Sequence, residues 1–276
     1  MTERTTTIER PLDYYEKASA AIKQLALDEV AARYGTGLPD TEPGIIDNPA
    51  YHNLQHSTRV AETAEKIAQE LGLSRKSMLI AGMAGAAHDI IRERTTEKTA
   101  EQLSADWLGM AMIELGFATP DIVTGRNAIL ATTPIITPEG LMVGQQVETT
   151  HFSDDFVSTD TLIAQSVASA DLEALYAPDG PIVAHKYFME LQGLQPGETP
   201  LSLEALRDFQ LKQVILMRHY RYPHPVAEEL FGKDRETVTA YHQMLFELID
   251  NGTVTSWSQV AEMDRRFFDE QTQSTI

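Results

Sequence analysis

The stretch Met78-Leu79-Ile80-Ala81-Gly82-Met83-Ala84-Gly85-Ala86-Ala87 is the longest apolar run in the chain, and His88 and Asp89 follow it at once. Its length and its many small residues predict a helix that is buried on nearly all sides, and it is too short to cross a membrane. A carboxylate at the end of such a helix needs a compensating partner, because an unpaired buried charge is costly. The His88-Asp89 pair therefore predicts either a helix-cap contact or a pair of metal ligands.

Around this run, apolar residues recur at spacings of three and four along most of the chain, which predicts an all-α fold. The predicted helices cover residues 14–34, 52–71, 74–91, 96–115, 120–132, 160–177, 183–194, 201–220, 235–250 and 257–270. No internal repeat and no Gly/Ser-rich or Pro-rich linker divides the chain. Residues 1–276 are therefore predicted to form a compact single-domain helical bundle.

A long irregular loop at residues 133–153 interrupts the helical pattern. It contains Pro134, Pro138, Gly140 and Gly144, and its only strand-like segment is residues 141–147, so it predicts a loop or a small hairpin. A connection of this length inside a compact domain is usually functional or mobile. Both a lid near the functional site and a solvated excursion stay open.

Composition excludes several classes of partner. The chain has 22 basic and 41 acidic residues and a formal net charge of -19, so its surface repels phosphate backbones and anionic headgroups. We expect neither long nucleic acid nor a membrane as a partner. Residues 1–10 lack the apolar segment of a secretory signal, which favours a soluble, cytoplasmic protein. An anionic small substrate would need a cation at the site, and without cysteine any metal must use imidazole and carboxylate ligands.

Two further histidines and one aspartate extend the candidate metal site. His52 and His56 are four residues apart and project from one face of a predicted helix. Asp171 lies in a run of small and apolar residues, where a metal would compensate its charge. Each of these residues alone is more often a satisfied core or surface group. Together they could supply part of the shell of an octahedral cation, which water or substrate completes.

The ordered set Tyr51-His52-Asn53-x-x-His56, then His88-Asp89, then Asp171, resembles the signature of the HD superfamily of metal-dependent phosphohydrolases. Its opening is similar to that of cyclic-nucleotide phosphodiesterases and of a group of bacterial predicted HD phosphohydrolases. The similarity covers roughly residues 50–176. It includes Glu101-Gln102-Leu103-Ser104-Ala105, which resembles an Asn-Glu-x-x-Ser-Ala element with Ala100 at its first position. The resemblance implies an HD core at residues 50–176, with the N-terminal helix 14–34 and C-terminal helices 181–270 packed on it.

The resemblance also implies roles for individual residues. The metal ligands would be His56, His88, Asp89 and Asp171, holding a divalent ion that is Mn, Mg, Zn, Fe, Ni or Co. The implied reaction is hydrolysis of a small phosphate ester, foremost a nucleotide or cyclic nucleotide, by attack of a metal-bound water on phosphorus. His52 would act as general acid beside the catalytic Asp89, in a protonated form that acidic neighbours favour. Weaker assignments place Asn53 and Glu101 in support of the site, and Arg92 and Arg94 on the substrate phosphate or at a solvated helix end.

Departures from the pattern limit what it implies. No histidine lies between Asp89 and His151, and Thr132-Thr133-Pro134-Ile135 stands where many relatives carry one. We therefore expect one firmly held metal, with any second ion left to Asp89 and water. His151 is expected to be a surface histidine.

Alternatives to a phosphohydrolase stay open. They are an HD-type oxygenase and a non-catalytic binding protein that metal stabilises. The basic, aromatic residues 218–224 would either bind a nucleotide or end a helix. A homodimer through the C-terminal helices is a further expectation.

Overall fold

The computed structural model describes residues 10–35, 51–138, 140–149, 157–194, 198 and 202–273, and within them it contains eleven α-helices and one two-stranded sheet. The helices are α1 Leu12–Tyr34, α2 Leu54–Glu70, α3 Arg75–Ala87, α4 Ala100–Glu114, α5 Thr119–Leu130, α6 Thr159–Asp171, α7 Gly180–Leu191, α8 Leu203–His219, α9 Pro225–Phe231, α10 Arg235–Asp250 and α11 Trp257–Gln273. The predicted all-α bundle is confirmed. The assignment of the whole chain to one domain stays a prediction.

Helix α3 lies at the centre of the bundle. It contains the whole apolar run, packs against α1, α2, α5 and α6, and every residue from Leu79 to Ala87 is buried. Glycine matters at one position. A Cβ at Gly85 would lie 2.9 Å from the Cα of Ala61 and 3.0 Å from the carbonyl oxygen of Val60. The missing side chain thus allows α2 and α3 to approach closely, next to His56 and His88.

Helix ends differ from the prediction in ways that matter for the site. The predicted helix 74–91 ends at Ala87, so His88 and Asp89 lie in a turn beyond it. The predicted helix 160–177 ends at Asp171 and continues as a 3₁₀ turn, Glu173–Tyr176. Helix α9 was not predicted, because its seven residues are too few to show a helical period.

The irregular segment 133–153 contains the predicted small hairpin. Strand β1, Pro134–Ile136, pairs antiparallel with β2, Met142–Gln145, and the 3₁₀ turn Gln146–Thr149 follows. His151 lies outside the described residues. Over the described ranges, no helix has the length and apolar character that a membrane span requires.

The basic, aromatic residues 218–224 close the end of α8. Helix α8 ends at His219, and Tyr220 and Tyr222 are buried. The Tyr222 hydroxyl donates to the carbonyl of Leu172 at 3.0 Å, and the Arg221 guanidinium donates to the carbonyl of Tyr220 at 2.7 Å. The two tyrosine rings therefore pack into the core, where they are not presented to a ligand.

Candidate metal centre

The four predicted metal ligands come from the ends of three helices. His56 lies in the first turn of α2, where the side chain of Asn53 caps the helix by accepting from the His56 backbone N–H at 3.1 Å. His88 and Asp89 follow α3, and Asp171 ends α6. The His88 Nδ1–H donates to the carbonyl of Gly85 at 2.8 Å, which leaves its Nε2 lone pair for a ligand.

The ligand atoms of these residues converge. The His88 Nε2 atom lies 3.2 Å from His56 Nε2, 3.0 Å from Asp89 Oδ2 and 3.3 Å from Asp171 Oδ1. The four ligand atoms all lie within 4.8 Å of one another. Two imidazole nitrogens and two carboxylates are a suitable donor set for a divalent ion. The cluster is therefore compatible with an HD-type metal site.

The electrostatics of the cluster also favour a cation. Burial opposes protonation of His88, but the Asp89 and Asp171 carboxylates outweigh burial and raise the His88 pKa well above its ordinary value. Burial likewise opposes ionisation of Asp89, yet His88 and His52 hold the Asp89 pKa well below its usual range. The pKa of Asp171 is also lowered, since hydrogen bonds from His56 and His88 outweigh its burial. Two ionised carboxylates thus face one small space.

A second set of contacts holds His52 beside the cluster. Its Nδ1 lies 2.7 Å from Glu190 Oε1, and its Nε2 lies 3.5 Å from Asp89 Oδ2. The other Glu190 oxygen accepts from the backbone N–H groups of Tyr51 and His52, at 2.7 and 2.9 Å. The Arg92 guanidinium also contacts Glu190. Burial raises the pKa of Glu190, but His52 and Arg92 lower it to about 2, so Glu190 is an anion that orients the His52 ring.

The pKa of His52 shifts in the direction opposite to the one that acidic neighbours alone predict. Burial lowers its pKa, and the opposing effects of Asp89 and Glu190 do not fully offset that burial. Acidic neighbours do favour the imidazolium, as predicted, but desolvation is the larger effect.

Aromatic rings form one wall beside His52. The Tyr51 ring centroid lies 4.5 Å from the His52 ring and 4.5 Å from the His56 ring. Tyr187, on α7, lies 5.6 Å from both Tyr51 and His52. These packed rings restrict the His52 imidazole to one orientation.

The hairpin also reaches the cluster. The side chain of Gln145, at the end of β2, donates from Nε2 to Asp171 Oδ2 at 2.9 Å. Gln145 is fully buried. The hairpin is therefore no solvated excursion at this point, because one of its side chains orients a candidate metal ligand.

Two of the weaker assignments lie apart from the cluster. Arg94 is exposed, and Glu101 lies in the first turn of α4. Within the described part of the chain, neither side chain makes a hydrogen bond or an ion pair with the cluster. The segment that contains Glu101 contacts this region through Ser104 instead. The Ser104 hydroxyl accepts from the backbone N–H of Ile91 and donates to the Ile91 carbonyl, both at 3.2 Å. Ser104 thus fixes the chain just after Asp89.

The structure therefore brings together most, but not all, of the predicted residues. Those that meet at the site are His52, Asn53, His56, His88, Asp89, Arg92 and Asp171. Glu190, Gln145 and Tyr187 were missed. A signal for Glu190 was present, since it follows Tyr187, Phe188 and Met189 in the kind of apolar context that indicated Asp171.

The helical bundle thus carries a His/His/Asp/Asp cluster that is compatible with an HD-type metal site. Residues 53–118 match the family model for the HD domain, which confirms the resemblance found in the sequence. No curated protein matches the chain.

The solved structures that match this chain include two from bacteria. The crystal structure of Bacillus subtilis YpgQ in complex with ADP is 16% identical, with a TM-score of 0.50 over 84% of this chain and 95% of that one. A structural-genomics target from Lactobacillus plantarum is also 16% identical, with a TM-score of 0.46 over 86% of this chain and 96% of that one. The likeness to YpgQ shows a shared fold.

Proposed function

We propose that this protein is a metal-dependent phosphohydrolase that hydrolyses a small phosphate ester, foremost a nucleotide or a cyclic nucleotide. One observation supports this most directly. The Nε2 atom of His52 lies 3.5 Å from Asp89 Oδ2, so a proton donor stands next to four converging metal-ligand atoms. Such a pairing suits a displacement at phosphorus whose leaving oxygen needs a proton.

The metal would be held by His56, His88, Asp89 and Asp171. Such an ion lowers the pKa of water and polarises a phosphoryl oxygen. The carboxylates of Asp89, Asp171 and Glu190 make this region strongly negative, and Arg92 is the nearest cation that contacts one of them. Because a phosphate would approach against this charge, a bound cation is needed before substrate.

His52 supplies the proton in this proposal. The Nδ1–H group of His52 donates to Glu190. The Nε2 atom, which faces Asp89, therefore carries the proton that is transferred. Burial lowers the His52 pKa, so the imidazolium depends on nearby negative charge. Glu190 provides part of that charge, and the substrate phosphate would provide more. Glu190 is thus a positioning residue that acts through His52.

The net charge of the chain and one similar structure support the proposed substrate class. The net charge of -19 favours a small substrate over long nucleic acid or a membrane surface. YpgQ was crystallised with ADP, which makes ADP the first nucleotide probe for this chain. A cytoplasmic location and a homodimer through the C-terminal helices stay proposals.

The test is a screen of the full chain after chelation and reloading with Mn, Mg, Zn, Fe, Ni or Co. Hydrolysis of bis-nitrophenyl phosphate, cyclic nucleotides and nucleotides, including ADP, is measured for each form. We expect turnover in at least one loaded form. His52→Ala should keep its metal and lose about 100- to 10,000-fold in kcat.

Each other outcome selects an alternative. Metal binding with no hydrolysis of any phosphate ester would contradict the proposal and favour a metal-stabilised binding protein. Oxygen uptake by the iron-loaded form would indicate an oxygenase. Full activity of His52→Ala would remove His52 from the mechanism.

A further inference from the structure

A chain of hydrogen-bonded side chains lies in the C-terminal helices, apart from the metal ligands. It consists of Tyr241, Asp264, His185, Gln210 and His242, and is called the buried polar chain below. His185, Gln210 and His242 are 0% exposed, and Asp264 and Tyr241 are 2% and 5% exposed. These residues link α7, α8, α10 and α11.

The hydrogen bonds of the buried polar chain all point towards Asp264. The Tyr241 hydroxyl donates to Asp264 Oδ1 at 2.6 Å, and His185 Nδ1 lies 2.5 Å from Asp264 Oδ2. Gln210 Nε2 lies 2.5 Å from His185 Nε2, and Gln210 Oε1 contacts His242 Nδ1. An amide nitrogen only donates and an amide oxygen only accepts. His185 Nε2 must therefore accept, and His242 must donate through its Nδ1–H.

The buried polar chain ends at His242. His242 Nε2 is buried and has no hydrogen-bond partner among the described residues. An unpaired ring nitrogen in the core is costly, and here nothing at that end fixes the direction of the bonds. The direction is set only by which way the Gln210 amide faces.

We propose that the buried polar chain is a one-proton, pH-sensitive switch in which all bonds between His185 and His242 reverse together. Uptake of one proton makes His185 an imidazolium that donates to Asp264 through Nδ1 and to Gln210 through Nε2. The Gln210 amide turns by half a rotation and donates to His242 Nδ1. The single proton of His242 moves from Nδ1 to Nε2, so that one proton is gained overall.

Two opposing effects act on the balance between the two arrangements. The protonated arrangement gives the buried Asp264 carboxylate a full ion pair with His185, which is favourable. It also leaves the new His242 Nε2–H without an acceptor, which is unfavourable. An opposition of this kind is what a switch between two discrete states needs.

The surrounding charges leave His185 as the proton acceptor. Burial, and then His185, lower the pKa of His242 to about 3, so His242 resists an added proton. Helices α7 and α8 and the 3₁₀ turn Glu173–Tyr176 pack against α10. In that turn Glu173 pairs with Arg59, and Tyr176 contacts Arg235, so these charges are already compensated. Asp264 and Tyr241 are the titratable groups that bond directly to His185 or to its carboxylate partner, and both are members of the chain.

The position of the switch gives it a route to the metal centre. His185 lies on α7, two residues before Tyr187 and five before Glu190. Tyr187 packs against the His52 ring and Glu190 bonds it. A change in the bonds that anchor α7 at His185 would therefore change the contacts of Tyr187 and Glu190 with His52.

The test is long-range ¹H–¹⁵N NMR of the histidine rings in the full chain, from about pH 7.5 to about pH 5, the range in which imidazole ordinarily titrates. We expect the His185 Nε2 resonance to move from the unprotonated to the protonated range. Over the same interval the His242 proton should move from Nδ1 to Nε2. If His185 stays singly protonated throughout, or if His242 keeps its Nδ1–H while His185 titrates, the proposal is wrong.

Two variants complete the test. Gln210→Glu places two acceptor oxygens between the histidines, so His185 should stay doubly protonated across the whole pH range. His219→Gln, which removes an exposed histidine on α8, should leave the coupled change intact. A Gln210→Glu protein in which His185 still titrates as in the wild type would overturn the proposal. Neither experiment needs substrate, so the proposed hydrolase activity is tested separately.

Discussion

Two buried clusters of histidine and aspartate in this protein are built in opposite ways. In the metal centre, acceptor atoms of His56, His88, Asp89 and Asp171 point at one another within 4.8 Å. In the buried polar chain, every acceptor from Asp264 to Gln210 meets a donor, and only the terminal His242 Nε2 has none among the described residues. Converging acceptors need a cation, whereas alternating donors and acceptors do not. The arrangement of lone pairs, more than residue type or burial, therefore separates a ligand site from a structural network.

The sharpest test of this contrast is to remove one aspartate from each cluster. Asp89→Ala should lose the metal and lower kcat/KM at least about 1,000-fold, since a catalytic metal contributes several kcal/mol to the transition state. Asp264→Asn should keep the metal stoichiometry of the wild type. It should instead unfold more easily, by about 1 to 3 kcal/mol, because one amide oxygen cannot replace both carboxylate oxygens that accept from Tyr241 and His185.

The measurements are metal analysis, hydrolysis and thermal unfolding of both variants. Full metal content in Asp89→Ala would show that the converging atoms are not the ligands. Loss of metal from Asp264→Asn would show that the two clusters are not independent.

A smaller effect is expected from the residue that connects α7 to the metal centre. Glu190→Gln keeps the shape of the side chain but turns one acceptor oxygen into a donor that faces His52 or the backbone N–H groups beside it. We expect kcat to fall about 10- to 100-fold, as for other groups that orient a site, with metal content unchanged. Glu101→Gln is the matched control and should change kcat by no more than about twofold.

Kinetics and metal analysis of the two variants show whether Glu190, and not Glu101, supports the metal centre. Equal losses in Glu190→Gln and Glu101→Gln would contradict the special role of Glu190. Loss of metal in Glu190→Gln would place it among the residues that hold the ion.

Local sequence patterns predicted the metal centre better than its surroundings. The spacing of His52 and His56, the adjacency of His88 and Asp89 and the apolar context of Asp171 are all visible within a few residues. Glu190 is 138 residues from His52, and its contact depends on how α7 packs over the start of α2. Gln145 likewise reaches Asp171 only because the hairpin folds back on α6.

Helix ends were also harder to predict than helices. The apolar run continues through Ala87, and nothing in its pattern shows that His88 turns out of the helix to bond the Gly85 carbonyl. The buried polar chain was not predicted at all. Its members come from four helices, and each is an ordinary polar residue in its own segment.

The smallest expected effect is on the pH dependence of the free energy of unfolding, measured after the metal has been removed with a chelator. The two clusters should contribute to it with opposite signs. Burial, and then His185, lower the pKa of His242 to about 3, whereas the unfolded chain binds that proton near pH 6.5. The free energy of unfolding should therefore fall as the pH drops from about 6.5 to about 4.5, by about 1.4 kcal/mol per unit. At lower pH the carboxylates with lowered pKa values, Asp89, Asp171 and Glu190, add to the loss. His88 has the opposite sign, because its raised pKa makes the protonated form the stable one. Its contribution is complete below about pH 6.5 and is lost as the pH rises through its folded value. Denaturant unfolding should thus show a maximum near pH 6.5, and His242→Phe should flatten only the slope between about pH 6.5 and about pH 4.5. A slope of equal size in that variant would mean that other groups control the acid response.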